Sequence, residues 1–144
     1  MISQITEENI RIIAKDFVET FRGWTYDNAY EYLHSPFLLN PEFCLQILQD
    51  GILAAGIFCK LAPYQDGKML VIEALHVRKE FRNKKIGRIL MKEIIKKTLE
   101  LQVNKIGLLA PNSEEFPISW YKQIGFKETG WVEMELDIRN INNF

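Results

Sequence analysis

Residues 78–88 read RKEFRNKKIGR, and six of these eleven positions are basic in a protein whose formal net charge is only −1. The stretch lies between an apolar, strand-like run over residues 69–77 and a long amphipathic pattern over residues 86–101. A loop that enters a helix presents unpaired backbone N–H groups and the positive end of the helix dipole, and both bind phosphate. The sequence therefore predicts a site for a polyanionic cofactor between a strand and a helix.

Two helices are predicted before this basic loop. Thr6 can cap a first helix, whose apolar residues follow helical spacing and which ends before Gly23. Thr25 can cap a second, short helix through about Leu33. We expect this second helix to end before Ser35-Pro36, because proline disfavours helical geometry in the residue that precedes it.

Three antiparallel strands are predicted between these helices and the basic loop. They are expected over residues 43–49, 52–61 and 69–77. Asp50-Gly51 is a strong signal for a tight turn between the first two, and Asp66-Gly67 ends the loop before the third. Gly56, in the middle strand, could mark a bulge.

A helix that begins near Lys85 and a buried strand over residues 105–110 should follow the basic loop. Strand, helix and strand at this spacing imply a right-handed parallel crossover. A short helix between Pro117 and Gly125, then strands over residues 126–128 and 131–138, would complete the chain, and alternation in the last strand predicts one buried face. We expect one domain over residues 1–144, of the α/β (α+β) class, with a mixed, mostly antiparallel central sheet flanked by helices.

Composition excludes several classes of protein. Hydrophobic residues make up 47% of the chain and charged residues 26%, and no apolar run reaches the roughly 20 residues of a membrane helix. No leader pattern is visible, so a cytoplasmic protein is expected. Near-neutral charge argues against a nucleic-acid binder, and neither GxxxxGK[ST] nor GxGxxG occurs. Cys44 and Cys59 are expected to be buried, reduced thiols, and the scattered Cys and His residues predict no metal site.

Glu73 lies in the middle of the apolar run before the basic loop. Burying a carboxylate costs free energy unless it is paired or functional. Partial burial would raise its pKa, which suits a general base near neutral pH. Two alternatives remain open, a solvent-exposed strand face and pairing with a basic residue, and His76 is an alternative base.

Residues 120–126 read WYKQIGF and form a second motif. A helix that carries an aromatic pair stops at Gly125, and the chain re-enters a strand through Phe126. Both a core role and a functional role fit Tyr121 in this setting.

These stretches resemble the GNAT superfamily of acyl-CoA-dependent N-acetyltransferases, and the resemblance covers nearly the whole chain. The family pattern [R/Q]-x-x-G-x-[G/A] reads RNKKIG over residues 82–87, so its first and last positions match and its internal glycine is Lys85. Residues 120–126 resemble the family pattern F-Y-x-x-x-G-F. The resemblance implies a GNAT-like single domain that transfers an acetyl group from acetyl-CoA to a primary amine by direct attack in a ternary complex.

The resemblance also implies a role for each matching residue. Glu73 would accept the amine's proton, directly or through water, and Tyr121 would protonate the departing CoA thiolate. Leu75 and Val77 would pair with the pantetheine arm through their backbones, and Asn112 would contact the cofactor. The pyrophosphate would be held by the backbone amides of Asn83, Lys84, Lys85, Ile86, Gly87 and Arg88, and the 3′-phosphate by Arg82, Lys84 or Arg88.

The acceptor is less well specified than the cofactor. Trp24 and Tyr26 lie at the turn between the first two helices, which overhangs the acceptor cleft in this superfamily, and residues 24–33 resemble the aminoglycoside 6′-N-acetyltransferase branch. Alternatively, these two side chains only hold the helices together. A protein N-terminus or lysine, a polyamine, an aminoglycoside and a small metabolite all remain open as acceptors. The family analogy favours a homodimer, and the rival functions are a non-catalytic acyl-CoA-binding module and a small nucleic-acid binder.

Overall fold

The computed structural model describes residues 1–140, which form two compact units. The first unit is Met1–Leu109, and the second begins at Ala110. The first unit contains, in chain order, β1 (Ile2–Gln4), α1 (Glu7–Thr20), α2 (Tyr26–Leu39), β2 (Cys44–Gln49), β3 (Ile52–Tyr64), β4 (Gly67–Val77), α3 (Ile86–Glu100) and β5 (Ile106–Leu108).

The five strands of the first unit form one sheet in the order β1-β2-β3-β4-β5. The first four strands pair antiparallel, and β4 and β5 pair parallel. The predicted mixed, mostly antiparallel sheet with one parallel crossover is therefore confirmed. Strand β5 is shorter than predicted, with three residues instead of the six expected over residues 105–110.

The helices cover the two faces of this sheet. Residues of α1 and α2 share a buried cluster with Cys44, Phe58 and Ala74. Because side chains alternate along a strand, Ile57 and Leu75 face the opposite side, and α3 packs there against β2, β3 and β4. The buried residues of α3 lie along one stripe, as its amphipathic pattern predicts.

The two predicted N-caps are confirmed, but the predicted end of α2 is wrong. The side-chain oxygens of Thr6 and Thr25 accept hydrogen bonds from the backbone N–H groups of Asn9 and Asn28, three positions further along the chain. Helix α2 continues through Pro36 to Leu39. Proline removes one helical hydrogen bond and costs roughly 3 kcal/mol in a helix interior. Here Pro36 is buried and its carbonyl accepts from Asn40 N–H at 2.8 Å, so packing and the next turn offset that cost.

The first hairpin turn lies where the sequence predicts it, and the second hairpin differs from the prediction. Asp50 and Gly51 form the predicted two-residue turn, with positive φ at both positions (51° and 77°). In the second hairpin Tyr64 pairs with Gly67, so the turn residues are Gln65 and Asp66, and β3 extends to Tyr64. The loop predicted over residues 62–68 is therefore only a two-residue turn, because both strands extend into it.

Gly56 does not mark a bulge, and this prediction is wrong. It pairs regularly with Gln46 and His76. A Cβ at Gly56 would lie 3.2 Å from Ile5 Cδ1, so close packing explains the glycine. The bulge that matters lies in β4, where Phe58 pairs with Ala74 and Cys59 with Ile72, so that Glu73 is the extra residue.

The second unit contains α4 (Ile118–Ile124), which follows Pro117 and ends at Gly125, as predicted. The strands predicted over residues 126–128 and 131–138 are absent, since the described part of this unit contains only α4 and a short 3₁₀ turn at Ile138–Asn140. The expected buried face is also wrong, because Val132 is 77% exposed and Met134 88%. Alternation identifies the face that a strand would bury, but a strand forms only where its backbone groups pair with a neighbour.

Candidate active site

The end of β4 has an edge that β5 leaves open. Within the first unit, β5 pairs with β4 only at Leu70–Ile72, and β4 continues to Val77. Arg78 N–H donates to the carbonyl of Ala54 at 2.9 Å, so the backbone groups of Val77 point away from β3. Alternation gives Leu75 the same direction. These two residues thus present main-chain donors and acceptors at the edge where an extended arm can add as a strand.

The basic loop begins directly after this edge. A 3₁₀ turn (Lys79–Phe81) leads into Asn83 and Lys85, which both adopt left-handed backbone conformations (φ 63° and 62°), and α3 then begins at Ile86. Lys85 provides no side-chain cap to α3, in contrast to Thr6 of α1 and Thr25 of α2. The first N–H groups of α3 therefore lack the side-chain partner that the other two helices have, as an anion site requires.

Lys85 stands where the family pattern has its internal glycine. A left-handed conformation costs an L-residue roughly 1–2 kcal/mol relative to glycine, although asparagine tolerates it better than most. The loop thus keeps the backbone geometry that the glycine would permit, at the expense of strain at Lys85.

The positive side chains of the loop remain accessible. Arg82, Lys84, Lys85 and Arg88 are all exposed. Arg82 Nε donates to the Val77 carbonyl at 3.0 Å, which ties the loop to the end of β4. Lys84 Nζ lies 5.7 Å from the centre of the Phe81 ring. The loop therefore combines main-chain donors with a dense, exposed positive charge, which fits a polyphosphate.

Glu73, the bulged residue, is paired with a lysine. Its Oε1 lies 2.9 Å from Lys60 Nζ, and the side chains of Lys60 and Glu73 are 37% and 25% exposed. Of the possibilities left open by the sequence, pairing with a basic residue is the one found. Since Lys60 follows Phe58 by two positions on β3, it lies on the sheet face that α1 and α2 cover.

Tyr32 of α2 holds the bulge in place. Its hydroxyl donates to the Glu73 carbonyl at 2.6 Å. Burial raises the pKa of Tyr32, and the negative charge of Glu73 adds to this effect, so the hydroxyl keeps its proton at neutral pH. Sequence reasoning missed both Tyr32 and Lys60, although a lone lysine at the end of an apolar strand was a visible signal for the latter.

His76 is buried beneath α1. Its ring is 4% exposed, and its Nε2 lies 3.6 Å from Asp16 Oδ2 and has no hydrogen-bond partner among the described residues. Burial lowers the pKa of His76; Asp16 opposes this, and Arg82 and Arg78 reinforce it. The ring borders a cleft of about 420 Å³, which is also lined by Asp16, Glu19, Thr20, Arg78, Lys79, Glu80 and Arg82. Its position among these charges makes it a weaker candidate base than Glu73.

Trp24 lies in the turn between α1 and α2, and Tyr26 is the first residue of α2. The Trp24 ring is 5.3 Å from Phe17, edge to face, and 5.1 Å from Tyr32. Tyr26 stacks on Tyr30 at 6.3 Å. Trp24 therefore does hold the two helices together. Through Tyr32 it is also connected to the Glu73 bulge, so the same contacts are compatible with a role at the acceptor side.

Asn112 and Tyr121 belong to the second unit. The ring of Tyr121 lies 5.0 Å from Trp120 and 5.4 Å from Phe126, in edge-to-face contacts. Asn112 is exposed in the segment before α4. Their catalytic and cofactor-binding roles stay predictions.

Neither cysteine is suited to nucleophilic chemistry. Cys44 and Cys59 are both buried and free. Burial raises the pKa of Cys44 to about 12 and that of Cys59 well above its usual value. In the part of the chain that the structure describes, no cluster of three His, Cys, Asp or Glu side chains forms a candidate metal site, and no helix is long and apolar enough to cross a bilayer.

A model of the acetyltransferase (GNAT) family matches residues 8–126 of this chain. No curated protein sequence matches it. Among solved structures, the ribosomal-protein-alanine N-acetyltransferase from Brucella melitensis is similar over 95% of this chain and 99% of its own, at 20% identity and a TM-score of 0.72.

Two further structures are similar at lower identity. A predicted acetyltransferase from Clostridium acetobutylicum with acetyl-CoA matches at 13% identity and a TM-score of 0.72, over 94% of this chain and 95% of its own. The aminoglycoside 6′-N-acetyltransferase from Acinetobacter haemolyticus matches at 12% identity and a TM-score of 0.76, over 95% and 97%. At these identities the similarity shows a shared fold.

Proposed function

Because this chain belongs to the GNAT family of acetyltransferases, we propose that it transfers an acetyl group from acetyl-CoA to a primary amine. The observation that carries the choice of an amine is the ion pair between Lys60 and Glu73. At the bulge of β4, the proposed base already holds a primary ammonium at 2.9 Å. A carboxylate in this position binds the cationic acceptor and also receives its proton.

The cofactor side of the proposal rests on the basic loop. Backbone amides over residues 83–88 would hold the pyrophosphate at the uncapped start of α3, and Arg82, Lys84 or Arg88 would bind the 3′-phosphate. The main chain of Leu75 and Val77, directed away from β3, would pair with the pantetheine arm. From the second unit, Asn112 would add a contact to the cofactor.

The proposed reaction is direct attack in a ternary complex. The amine transfers a proton to Glu73, directly or through water, and its nitrogen then attacks the thioester carbonyl. The N–H of Leu75 is the proposed donor to the oxygen of the tetrahedral intermediate. Tyr121 would protonate the departing thiolate. The buried cysteines with raised pKa values support this route over an acyl-enzyme formed on sulfur.

A cationic acceptor fits the acidic residues near the turn between α1 and α2. Asp27 and Glu31 are exposed on α2, and Trp24 and Tyr26 supply aromatic surface beside them. Two of the similar structures are named for acetylation of an alanine residue and of an aminoglycoside, and both acceptors are amines. We also propose that residues 1–144 act as one acetyltransferase domain, because the family match runs across both units.

A panel of primary amines with acetyl-CoA, with release of the CoA thiol as readout, tests this function. We expect turnover with cationic amines and a loss of about 10²–10⁴-fold in Glu73→Gln, the usual contribution of a general base. Glu100→Gln, at the exposed end of α3, is the matched control. Calorimetry of CoA binding separates the alternatives, since binding without turnover of any amine would support a non-catalytic acyl-CoA module.

A further inference from the structure

We propose that Lys60 is itself an acetylation site of this protein, modified from the acetyl-CoA bound in its own cleft with Glu73 as the base. This inference rests on the proposed function. It adds a covalent modification of the chain, at a residue that no sequence motif singled out.

The position of Lys60 is unusual among the lysines. Within residues 1–109, all of which the structure describes, it is the only lysine whose ammonium is paired with a carboxylate. The side chain is 37% exposed, so it is partly accessible to solvent. Its partner Glu73 is the bulged residue of β4, just past Ile72, the last residue that pairs with β5.

An acceptor amine and Lys60 have the same chemical requirements. Each is a primary ammonium that must give up a proton before it has a lone pair for attack. Each needs a carboxylate within hydrogen-bond reach, and Lys60 Nζ already lies 2.9 Å from Glu73 Oε1. Lys60 is tethered to the sheet, so its attack is intramolecular and avoids the entropy of bringing in a second molecule.

The step balances without any further reactant. Lys60 Nζ passes one proton to Glu73, which releases it to solvent, and the nitrogen forms a bond to the acyl carbon. The bond between that carbon and sulfur breaks, and the sulfur leaves with the electron pair. The second proton lost from Nζ ends on the sulfur, giving the CoA thiol and a neutral amide on Lys60.

The modification would change the site that performs it. An acetylated Lys60 has no positive charge and cannot pair with Glu73. The carboxylate would then be available to an external ammonium, so Lys60 and the acceptor compete for the same group. In the structure Lys60 is unmodified and occupies Glu73.

The test is site-resolved mass spectrometry of the full-length protein incubated with acetyl-CoA. We expect Lys60 to be acetylated at least about tenfold faster than Lys68, since a positioned base contributes ~10²–10⁴-fold and Lys68 must lose its proton to water. Lys68 is the internal control, because it is exposed on the same hairpin and pairs with no carboxylate of the described residues. The rate per molecule should not depend on protein concentration.

Two variations of this experiment test whether Glu73 and bound acetyl-CoA cause the preference for Lys60. Glu73→Gln should reduce the Lys60 rate to that of Lys68 and leave Lys68 unchanged. Acetyl phosphate, a donor without the CoA moiety, should remove the preference for Lys60 in the wild type, which keeps the test decisive if Glu73→Gln folds poorly. Equal rates at Lys60 and Lys68 with acetyl-CoA would overturn the inference, as would a rate that rises with protein concentration.

The failure of this inference can be told from failure of the proposed function. Turnover of external amines without preferential modification of Lys60 would overturn only the inference. Absence of both turnover and Lys60 modification would overturn both. Modification of Lys60 without turnover of any amine would support the inference and limit the function to the chain itself.

Discussion

Arg78 Nε donates to Asp16 Oδ2 at 2.8 Å, and this ion pair fastens the first residue of the basic loop to α1. The same arginine donates through its backbone N–H to Ala54 and through Nη1 to the carbonyl of Leu53. Both side chains of the pair are less than one-third exposed. Since Arg78 thus joins α1, β3 and the basic loop, we interpret it as the residue that holds the start of this loop in place.

Asp16→Asn tests this support. The variant removes the charge that holds Arg78 without touching any residue proposed to bind the cofactor. We expect a loss of about 1.5–3 kcal/mol in the free energy of unfolding, as for a hydrogen bond to a charged group. CoA affinity should fall several-fold, because the loop loses its fixed start. Urea denaturation and calorimetry measure the two effects, and Asp66→Asn, in an exposed turn, is the control. An unchanged CoA affinity would show that Arg78 does not organise the loop.

The lowered pKa of His76 predicts how the stability of the protein depends on pH. Burial lowers its pKa in the folded state below the value of about 6.5 in the unfolded chain. The unfolded state therefore binds the proton more readily, so this contribution to stability is complete above about pH 6.5 and is lost as the pH falls through the folded pKa.

His76→Gln should remove that part of the pH dependence. The measurement is the free energy of unfolding by urea at pH values above and below 6.5, in wild type and variant. We expect the wild type to lose more stability on acidification than His76→Gln does. Parallel losses in the two proteins would assign the acid sensitivity to other groups.

Tyr32→Phe tests whether the position of the bulge matters for catalysis. The variant removes the donor to the Glu73 carbonyl and keeps the ring that packs on Trp24 and Phe17. We expect kcat to fall, with CoA affinity unchanged and a loss of about 0.5–1.5 kcal/mol in stability. Tyr30→Phe, in the neighbouring aromatic stack of α2, is the matched control. A fall in CoA affinity equal to the fall in kcat would argue for a general structural role of Tyr32.

Two substitutions of Lys85 that give the same net charge test whether its left-handed backbone conformation matters. Lys85→Gly and Lys85→Val both remove one positive charge, but a β-branched residue is strongly disfavoured at a φ of 62°. We expect the valine variant to be less stable than the glycine variant by about 1–2 kcal/mol or more. CoA should bind more weakly to it as well. Equal affinity and stability in the two variants would mean that the left-handed conformation at Lys85 is not required.

The local features of this fold were readable from short stretches of sequence. Thr6 and Thr25 cap their helices and Asp50-Gly51 forms its turn, because each depends on residues a few positions apart. The end of α2 was not readable in this way. The tendency of Pro36 to end a helix was outweighed by its burial, and burial is a property of the assembled core.

The same distinction between local sequence and tertiary structure applies to the candidate site. The sequence identified the basic loop, and it identified Glu73 as a carboxylate out of place in an apolar strand. It did not identify Lys60, Tyr32 or Asp16, which reach the site from β3, α2 and α1. None of these three lies within ten residues of the group that it contacts.

By itself, the sequence determined the basic loop, the helix that follows it and the family to which the chain belongs, because these rest on local spacing and on motifs. Tertiary structure alone decided that Glu73 is the bulged residue, that Lys60 is its partner and that Arg78 is held by Asp16. The physical reason is strand register. A shift of one residue between β3 and β4 would turn every following side chain to the other face of the sheet, and only the packed core selects the register that brings Lys60 and Glu73 together.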